Sequence, residues 1–225
     1  MKARLWAAAV AILLTTIAAS PARGGDLYVG ALGGLATLSG DGRSILAGSS
    51  GQVSLYKPYN GPALNVFVGW DFSKYVSLQG NYIWNRNDLS LVSTSFGPAG
   101  ISDYQQARNS QQNSAIADLL VYMRKRDSRV RPYLSGGTGL VHLKSSAEAL
   151  NVMTGSPTIP PQEFSATHIG LRVAVGIDVR LRDGFSFRYS FSETLSSNPI
   201  SSELLPPGLR RLKNFQNLFG LVKHF

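Results

Sequence analysis

Residues 169–181 read IGLRVAVGIDVRL. Every odd position carries a large aliphatic side chain (Ile169, Leu171, Val173, Val175, Ile177, Val179, Leu181), while the even positions are Gly170, Arg172, Ala174, Gly176, Asp178 and Arg180. A period of two is the signature of a β-strand whose two faces meet different surroundings. Here one face is too apolar for water and the other too charged for an ordinary core.

The same period recurs along the chain, and no convincing 3.6-residue periodicity competes with it. Eight strand segments are predicted, over 26–38, 62–72, 75–85, 114–124, 130–143, 169–181, 185–194 and 212–225. In the second, Leu64, Val66, Val68, Trp70 and Phe72 oppose Asn65, Gly69 and Asp71. In the third, Val76, Leu78, Tyr82 and Trp84 oppose Ser77, Gln79, Asn81 and Asn85; in the fourth, Ala115, Ala117, Leu119, Val121 and Met123 oppose Asp118, Tyr122 and Arg124. The seventh alternates Phe185, Phe187, Tyr189 and Phe191 with Ser186, Arg188, Ser190 and Ser192. Glycines leave the facing of the first segment (Gly30, Gly33, Gly34) and the fifth (Gly136, Gly137, Gly139) open.

Connections between segments alternate in length. Short ones cover 73–75, about 125–129 and 182–184; long polar ones cover about 39–61, 86–113, 144–163 and 195–211. This pattern predicts an all-β fold: an eight-stranded antiparallel up-and-down barrel with tight turns at one end and long loops at the other. The loops, including 101–114 (ISDYQQARNSQQNS), 154–163 and 199–209, have the Ser, Gly, Pro, Asn and Gln content of exposed, mobile connections.

Two eight-stranded designs differ in which face is apolar. A soluble ligand-binding barrel is apolar inside, whereas a membrane barrel is apolar outside. The polar face here carries Asp71, Asp118, Arg172, Asp178, Arg180 and Arg188. If 182–184 is a three-residue turn, Asp178 falls opposite Arg188, and a matching register across 73–75 sets Trp70 against Leu78 and Val66 against Tyr82. The apolar face is long enough to cross hydrocarbon as a tilted strand of about 9–11 residues. Its aromatics fall near both ends: Trp70, Phe72, Phe185 and Phe225 toward the short turns, Tyr82, Trp84 and Phe215 toward the long loops. Glu193 and Lys223 interrupt this face near strand ends. Lipid outside and a polar, side-chain-filled interior satisfy both rows, so Asp118, Arg172, Asp178, Arg180 and Arg188 are expected to form an interior ion-pair network. An ion path through the same residues is the alternative.

The start of the chain differs from the rest. Lys2 and Arg4 precede an apolar run over 5–19 and the small residues Ser20-Pro21-Ala22. Residues 1–22 therefore read as a cleaved secretory signal peptide, with 23–225 as the mature barrel; a membrane anchor is the alternative, but the run is shorter than a spanning helix requires. Removing 22 of 225 residues leaves 203 and, with Lys2 and Arg4 gone, takes the formal charge from +9 to +7. The chain has no cysteine, which excludes a disulfide framework and thiolate zinc sites. Its cations are scattered, and nucleic acid is not an expected partner. The dense run RKRDSR (124–129) reads as a turn facing lipid headgroups.

Taken together, the leader, the alternating connections and the final stretch NFQNLFGLVKHF (214–225) resemble the small outer-membrane β-barrel proteins of diderm bacteria, the eight-stranded OmpA-type class. SRVRPYLSGGTGL and VGIDVRLRDGFSFRYSF are similar to members known only as outer-membrane β-barrel domains. The resemblance implies outer-membrane location, contact with outer-membrane lipids, and a terminal assembly signal at Phe219, Leu221 and Phe225 read by the outer-membrane assembly machinery. Lys223 departs from that signal's alternation. No peptidoglycan-anchoring domain is expected beyond the barrel.

Catalysis would need a nucleophile or carboxylate beside a histidine. His224 lies at the far end, and His142 and His168 flank the third long loop as the one pair to weigh for catalysis or metal. No G-x-S-x-G, H-E-x-x-H or P-loop spacing occurs. The expectation is a non-enzymatic barrel without cofactor or metal, structural or surface-interacting through its loops. The alternatives are an enzyme acting at the rim, a small pore, and a soluble periplasmic barrel.

Overall fold

The computed structural model describes residues 27–39, 42–45, 52–97, 100–154, 163–197 and 211–225. The leader read over 1–22 lies outside them, as do most of the loop stretches 154–163 and 199–209.

Among the described residues ten strands run in chain order: β1 (Leu27–Ser39), β2 (Gly42–Ile45), β3 (Gln52–Pro58), β4 (Asn60–Asp71), β5 (Val76–Gly97), β6 (Gly100–Tyr122), β7 (Val130–Thr154), β8 (Glu163–Arg180), β9 (Phe185–Ser197) and β10 (Arg211–His224). All pairings are antiparallel, and β1 pairs with β4 on one side and β10 on the other. The ring β1-β4-β5-β6-β7-β8-β9-β10 is therefore a closed eight-stranded barrel, and β2 and β3 form a hairpin laid on the upper part of β5. The two registers read from the turns are present: Trp70 opposes Leu78, Val66 opposes Tyr82, and Asp178 opposes Arg188. In the β8–β9 turn, Asp183 and Gly184 both take positive φ (55° and 74°), a backbone that an Asp tolerates and a Gly favours.

The aliphatic rows point outward. Ile169 is 73% exposed, and Leu171, Val173 and Val175 share that surface, while Arg172, Ala174, Gly176 and Asp178 are buried in the barrel. From Ile169 to Leu181 the strand rises about 3.3 Å per residue, or about 40 Å in all. At a tilt of about 45° that is about 28 Å along the membrane normal, matching a hydrocarbon core of about 30 Å. Glu193 and Lys223 both find partners: Glu193, opposite Val173 in the upper half of this band, faces Lys213 at 3.8 Å, and Lys223, at the short-turn edge, donates to the Asp183 carbonyl with its ammonium 4.5 Å from the Phe185 ring centre.

Three expectations need correction. First, the stretches 86–113 and 144–163 are mostly strand. β5 and β6 stay paired from Val76↔Val121 to Gly97↔Gly100, and β7 and β8 stay paired as far as Ser146↔Glu163. Above the lipid band both faces of the wall are polar in sequence (Arg86, Asp88, Asn109 and Gln111 outside; Asn87, Arg108 and Ser110 inside), so the contrast that reveals a strand is lost. Second, the first connection also contains strand. β3 continues the line of β4 along β5, but the pairing slips by one residue at Tyr59 (Pro58↔Leu89 against Ala63↔Asn85), which is a β-bulge. The Asn87 amide fills that gap in the ladder, donating to the Tyr59 carbonyl at 2.8 Å and to the Ala36 carbonyl at 2.9 Å. Third, the interior is only partly polar. β1, whose facing the glycines hid, turns Tyr28, Leu32, Ala36 and Leu38 inward, where the first three join Ala63, Phe67, Leu218 and Val222 in an apolar cluster.

The assignment of sides predicts a depth-dependent cost. Val175→Arg, at the centre of the band and opposite Phe191, is expected to destabilise the barrel by about 2–4 kcal/mol in urea unfolding from phospholipid vesicles, whereas Ser165→Arg, above it, costs about 0–1 kcal/mol. Equal costs at the two positions would contradict a lipid-facing Val175.

Candidate functional site

The concentrated polar chemistry of the barrel lies in its interior, so it is the candidate site. At its centre is Arg188 of β9, 1% exposed. Its Nε and one terminal nitrogen grip both carboxylate oxygens of Asp178 at 2.6 and 2.7 Å. The remaining contacts are Nη1 to the Gln79 side-chain oxygen at 2.7 Å and Nη2 to the Tyr122 hydroxyl at 2.9 Å. A planar guanidinium in such a fork is held at fixed geometry. The rings of Phe67, Tyr133 and Tyr28 surround it, with centres 5.0, 5.1 and 5.5 Å from the guanidinium carbon.

The network spreads from there. Tyr122 donates to Asp178 at 3.1 Å, Tyr28 donates to Gln79 at 3.2 Å, and the Gln79 amide donates to Asn81 at 2.7 Å. Asn81 in turn donates to Asp118 at 3.1 Å, and Arg172 forms an ion pair with the same Asp118 oxygen. The two partners of that pair sit on β8 and β6, with β7 between them, and the intervening residue in both registers is Gly137. A Cβ there would overlap the Asp118 carboxylate, so only glycine leaves the slot across which Arg172 and Asp118 meet.

Sequence reasoning missed two buried arginines. Arg131 lies opposite Asp178 at the start of β7, with its guanidinium 3.7 Å from the Tyr122 ring centre. Arg108, fully buried, donates to Gln106 at 2.7 Å and to the Ser145 hydroxyl at 3.2 Å. Carrying the parity of 114–124 back along β6 would have placed Arg108 inside. Arg131 had no such guide, because the glycines of its strand conceal the facing.

Both ends of the interior are covered. On the long-loop side, Leu38, Leu89, Leu91, Leu143 and Leu212 pack together, with Asn214 bonded to Asn85 and Gln112 at 2.9 and 3.0 Å. On the short-turn side, the 123–129 turn is tied from two directions. Arg126 reaches Asp71 of β4 at 3.2 Å, and Arg180 donates to the carbonyls of Arg126 and Asp127. Arg180 is thus exposed at the rim and not part of the interior network, a correction: at the end of β8 its long side chain reaches the free carbonyls of a turn instead of the interior. Among the five residues expected to form the network, the structure brings together Asp178 with Arg188 and Asp118 with Arg172.

The histidines are not a pair. His168 lies opposite the buried Val141 and so shares the inner face, whereas His142 lies opposite Thr167 on the outer face and meets its hydroxyl at 2.8 Å. His224 packs against Tyr28 with ring centres 5.4 Å apart and the planes tilted by 39°. Among the described residues no group of three or more His, Asp or Glu is placed to hold a metal ion. At the C-terminal strand, Phe219, Leu221 and Phe225 are all exposed on the outward face.

A family model described as "Outer membrane protein beta-barrel domain" matches residues 7–206. The chain belongs to that family. The outer-membrane barrel so identified carries its final strand, β10, beyond the matched span. No curated protein matches it in sequence. Among solved structures, the barrel is similar to Neisserial surface protein A (15% identity, 88% of this chain and 97% of that chain, TM-score 0.46). It is also similar to Ail, the attachment invasion locus protein of Yersinia pestis (14%, 90% and 99%, 0.48), and to the outer membrane protease OmpT of Escherichia coli (10%, 89% and 97%, 0.43). The protein is located in the outer membrane of a Gram-negative-type bacterium.

Because Arg188 and Asp178 are buried together, removing one partner leaves the other charge stranded, at a cost of about 3–5 kcal/mol. Arg188→Ala is expected to lower the temperature at which heat-modifiable gel mobility is lost, and Arg188→Ala with Asp178→Ala to recover much of that loss. A single variant as stable as the parent would refute the coupling.

Proposed function

We propose that this outer-membrane barrel is neither an enzyme nor a pore, and that its role is structural or surface-interacting, carried by the wall above the lipid band. The observation that supports this reading is the occupied interior. Arg188 is fixed by four hydrogen bonds, five leucines pack across the outer part, and the 123–129 turn is fastened over the other end. A permeating ion needs mobile or hydrated groups along its path, and an eight-stranded interior is just wide enough for side chains to fill. The opposed faces of His142 and His168 leave neither with the other as a catalytic or metal partner.

The wall formed by β5, β6 and β7 offers a polar outer surface. Asn109 bonds to Asp88 at 2.8 Å and Lys144 faces Glu163 at 3.7 Å, and with Arg86 and Glu148 also exposed the surface carries both signs rather than a field of one. A surface ligand would meet this sheet and the connections above it. The outward row of Phe219, Leu221 and Phe225 is consistent with a role as the stretch read by the assembly machinery during insertion.

Planar bilayer recording and hydrolysis assays test the reading together. The purified barrel is expected to give no sustained conductance steps and no turnover of lipid A or peptide. Stable channel openings, or hydrolysis abolished by His168→Ala, would overturn it.

A further inference from the structure

The cations of the barrel are distributed unequally between its two ends. Lys74 in the β4–β5 turn, Arg124, Lys125 and Arg129 in the β6–β7 turn, and Arg182 in the β8–β9 turn are all exposed, and none of them is in an ion pair among the described residues. The same turns carry only Asp127 and Asp183 as exposed carboxylates, since Asp71 is buried against Arg126. At the opposite end the charges balance: the exposed Arg86, Lys144, Arg211 and Lys213 are accompanied by Asp88, Glu148, Glu163 and the half-buried Glu193, with Lys144 matched by Glu163 and Lys213 by Glu193.

The basic groups are mounted on ordered backbone. The Ser73 hydroxyl accepts from the amides of Tyr75 and Val76 at 3.2 and 3.1 Å, Ser128 donates to the Lys125 carbonyl at 3.0 Å, and Phe185 donates to the Arg182 carbonyl at 3.0 Å. Immediately beside them the outward surface becomes apolar, with Trp70, Phe72, Met123, Leu181, Phe185 and Phe225 all exposed. That row marks the edge of the hydrocarbon. Long Lys and Arg side chains one or two residues beyond it lie at the depth of phospholipid phosphates. Short turns face the periplasm in barrels of this kind.

We propose that the short-turn end is a docking collar for anionic phospholipid headgroups in the leaflet facing the periplasm, phosphatidylglycerol being the simplest. Three turns contribute, and they alternate with the long connections around the ring, so the collar encircles much of the barrel. Zwitterionic headgroups carry no net charge for these cations to select, and the balanced charges of the outer end offer no equivalent attraction.

Native mass spectrometry of the full chain in detergent micelles, titrated with phosphatidylglycerol or phosphatidylcholine, tests the collar. The parent is expected to retain phosphatidylglycerol in preference to phosphatidylcholine, with the preference shrinking as salt rises. Arg124→Gln with Lys125→Gln and Arg129→Gln should reduce that preference by about tenfold; Lys144→Gln with Lys213→Gln should keep it. Heat-modifiable mobility checks that each variant is folded. If the triple variant fails that check, Lys74→Gln with Arg182→Gln, on two different turns, replaces it. Equal retention of the two lipids by the parent would overturn the proposal without any variant, and so would loss of the preference in the outer-rim variant alone. Neither conductance nor hydrolysis enters this measurement, so its outcome is separable from that of the functional reading above.

Discussion

A backbone amide in hydrocarbon has no water to turn to, and the whole architecture answers that constraint. Each unsatisfied group would cost several kcal/mol, so a sheet that enters lipid must leave no open edge. The pairing of β1 with β10, from Tyr28↔His224 to Ser39↔Lys213, removes the last edge. Once the sheet is a cylinder, its side chains have only two destinations, and the alternating rows of β8 sort themselves between them. The charged row can be inside only because partners await it there: Asp178 is gripped by Arg188 of one neighbouring strand, and Arg172 pairs with Asp118 across β7.

The interior is better described as layers than as one polar core. Near the periplasmic end, Arg188 sits in a cage of rings and hydrogen-bond acceptors. Above it come amides (Asn65, Asn81, Asn85, Gln112, Asn214), then the leucines together with Arg108, Gln106 and Ser145, Leu89 lying directly opposite Arg108 and Leu91 opposite Gln106. Such a stack has Arg188 and Arg108 bonded and its rotamers confined by neighbours, which makes it suited to holding register. Close approach also matters. Gly69 and Gly176 leave room for the inward rings of Tyr28 and Tyr133, and Gly137 lets an ion pair bridge a strand.

What could be read from sequence follows from where each strand has two unlike environments. Between Trp70 and Trp84, and between Ile169 and Phe191, one face meets lipid and the other a packed interior, so the alternation is clean and even the registers were legible. Above the membrane that contrast vanishes. In 105–113 the outward Gln105, Asn109 and Gln111 are as polar as the inward Gln106, Arg108 and Ser110, and a regular strand reads as a loop. In β1 and β7 the glycines erase the signal where rings and carboxylates from other strands need the space. Arg180 has the parity of an inward residue but sits at the strand end, where reach rather than facing decides its partner. For His142 and His168, nearness along the third connection suggested a pair, and only the register places them on opposite faces.

The height of the wall is uneven. β8 and β9 part company at Leu171↔Leu195, while β5 and β6 remain joined to Gly97↔Gly100. Among the described residues the wall therefore stands higher over β5, β6 and β7 than where β8 meets β9. The cylinder so described has a distinguishable front and back, and the azimuth of the protein in the bilayer, as well as its depth, sets where the tall polar side faces.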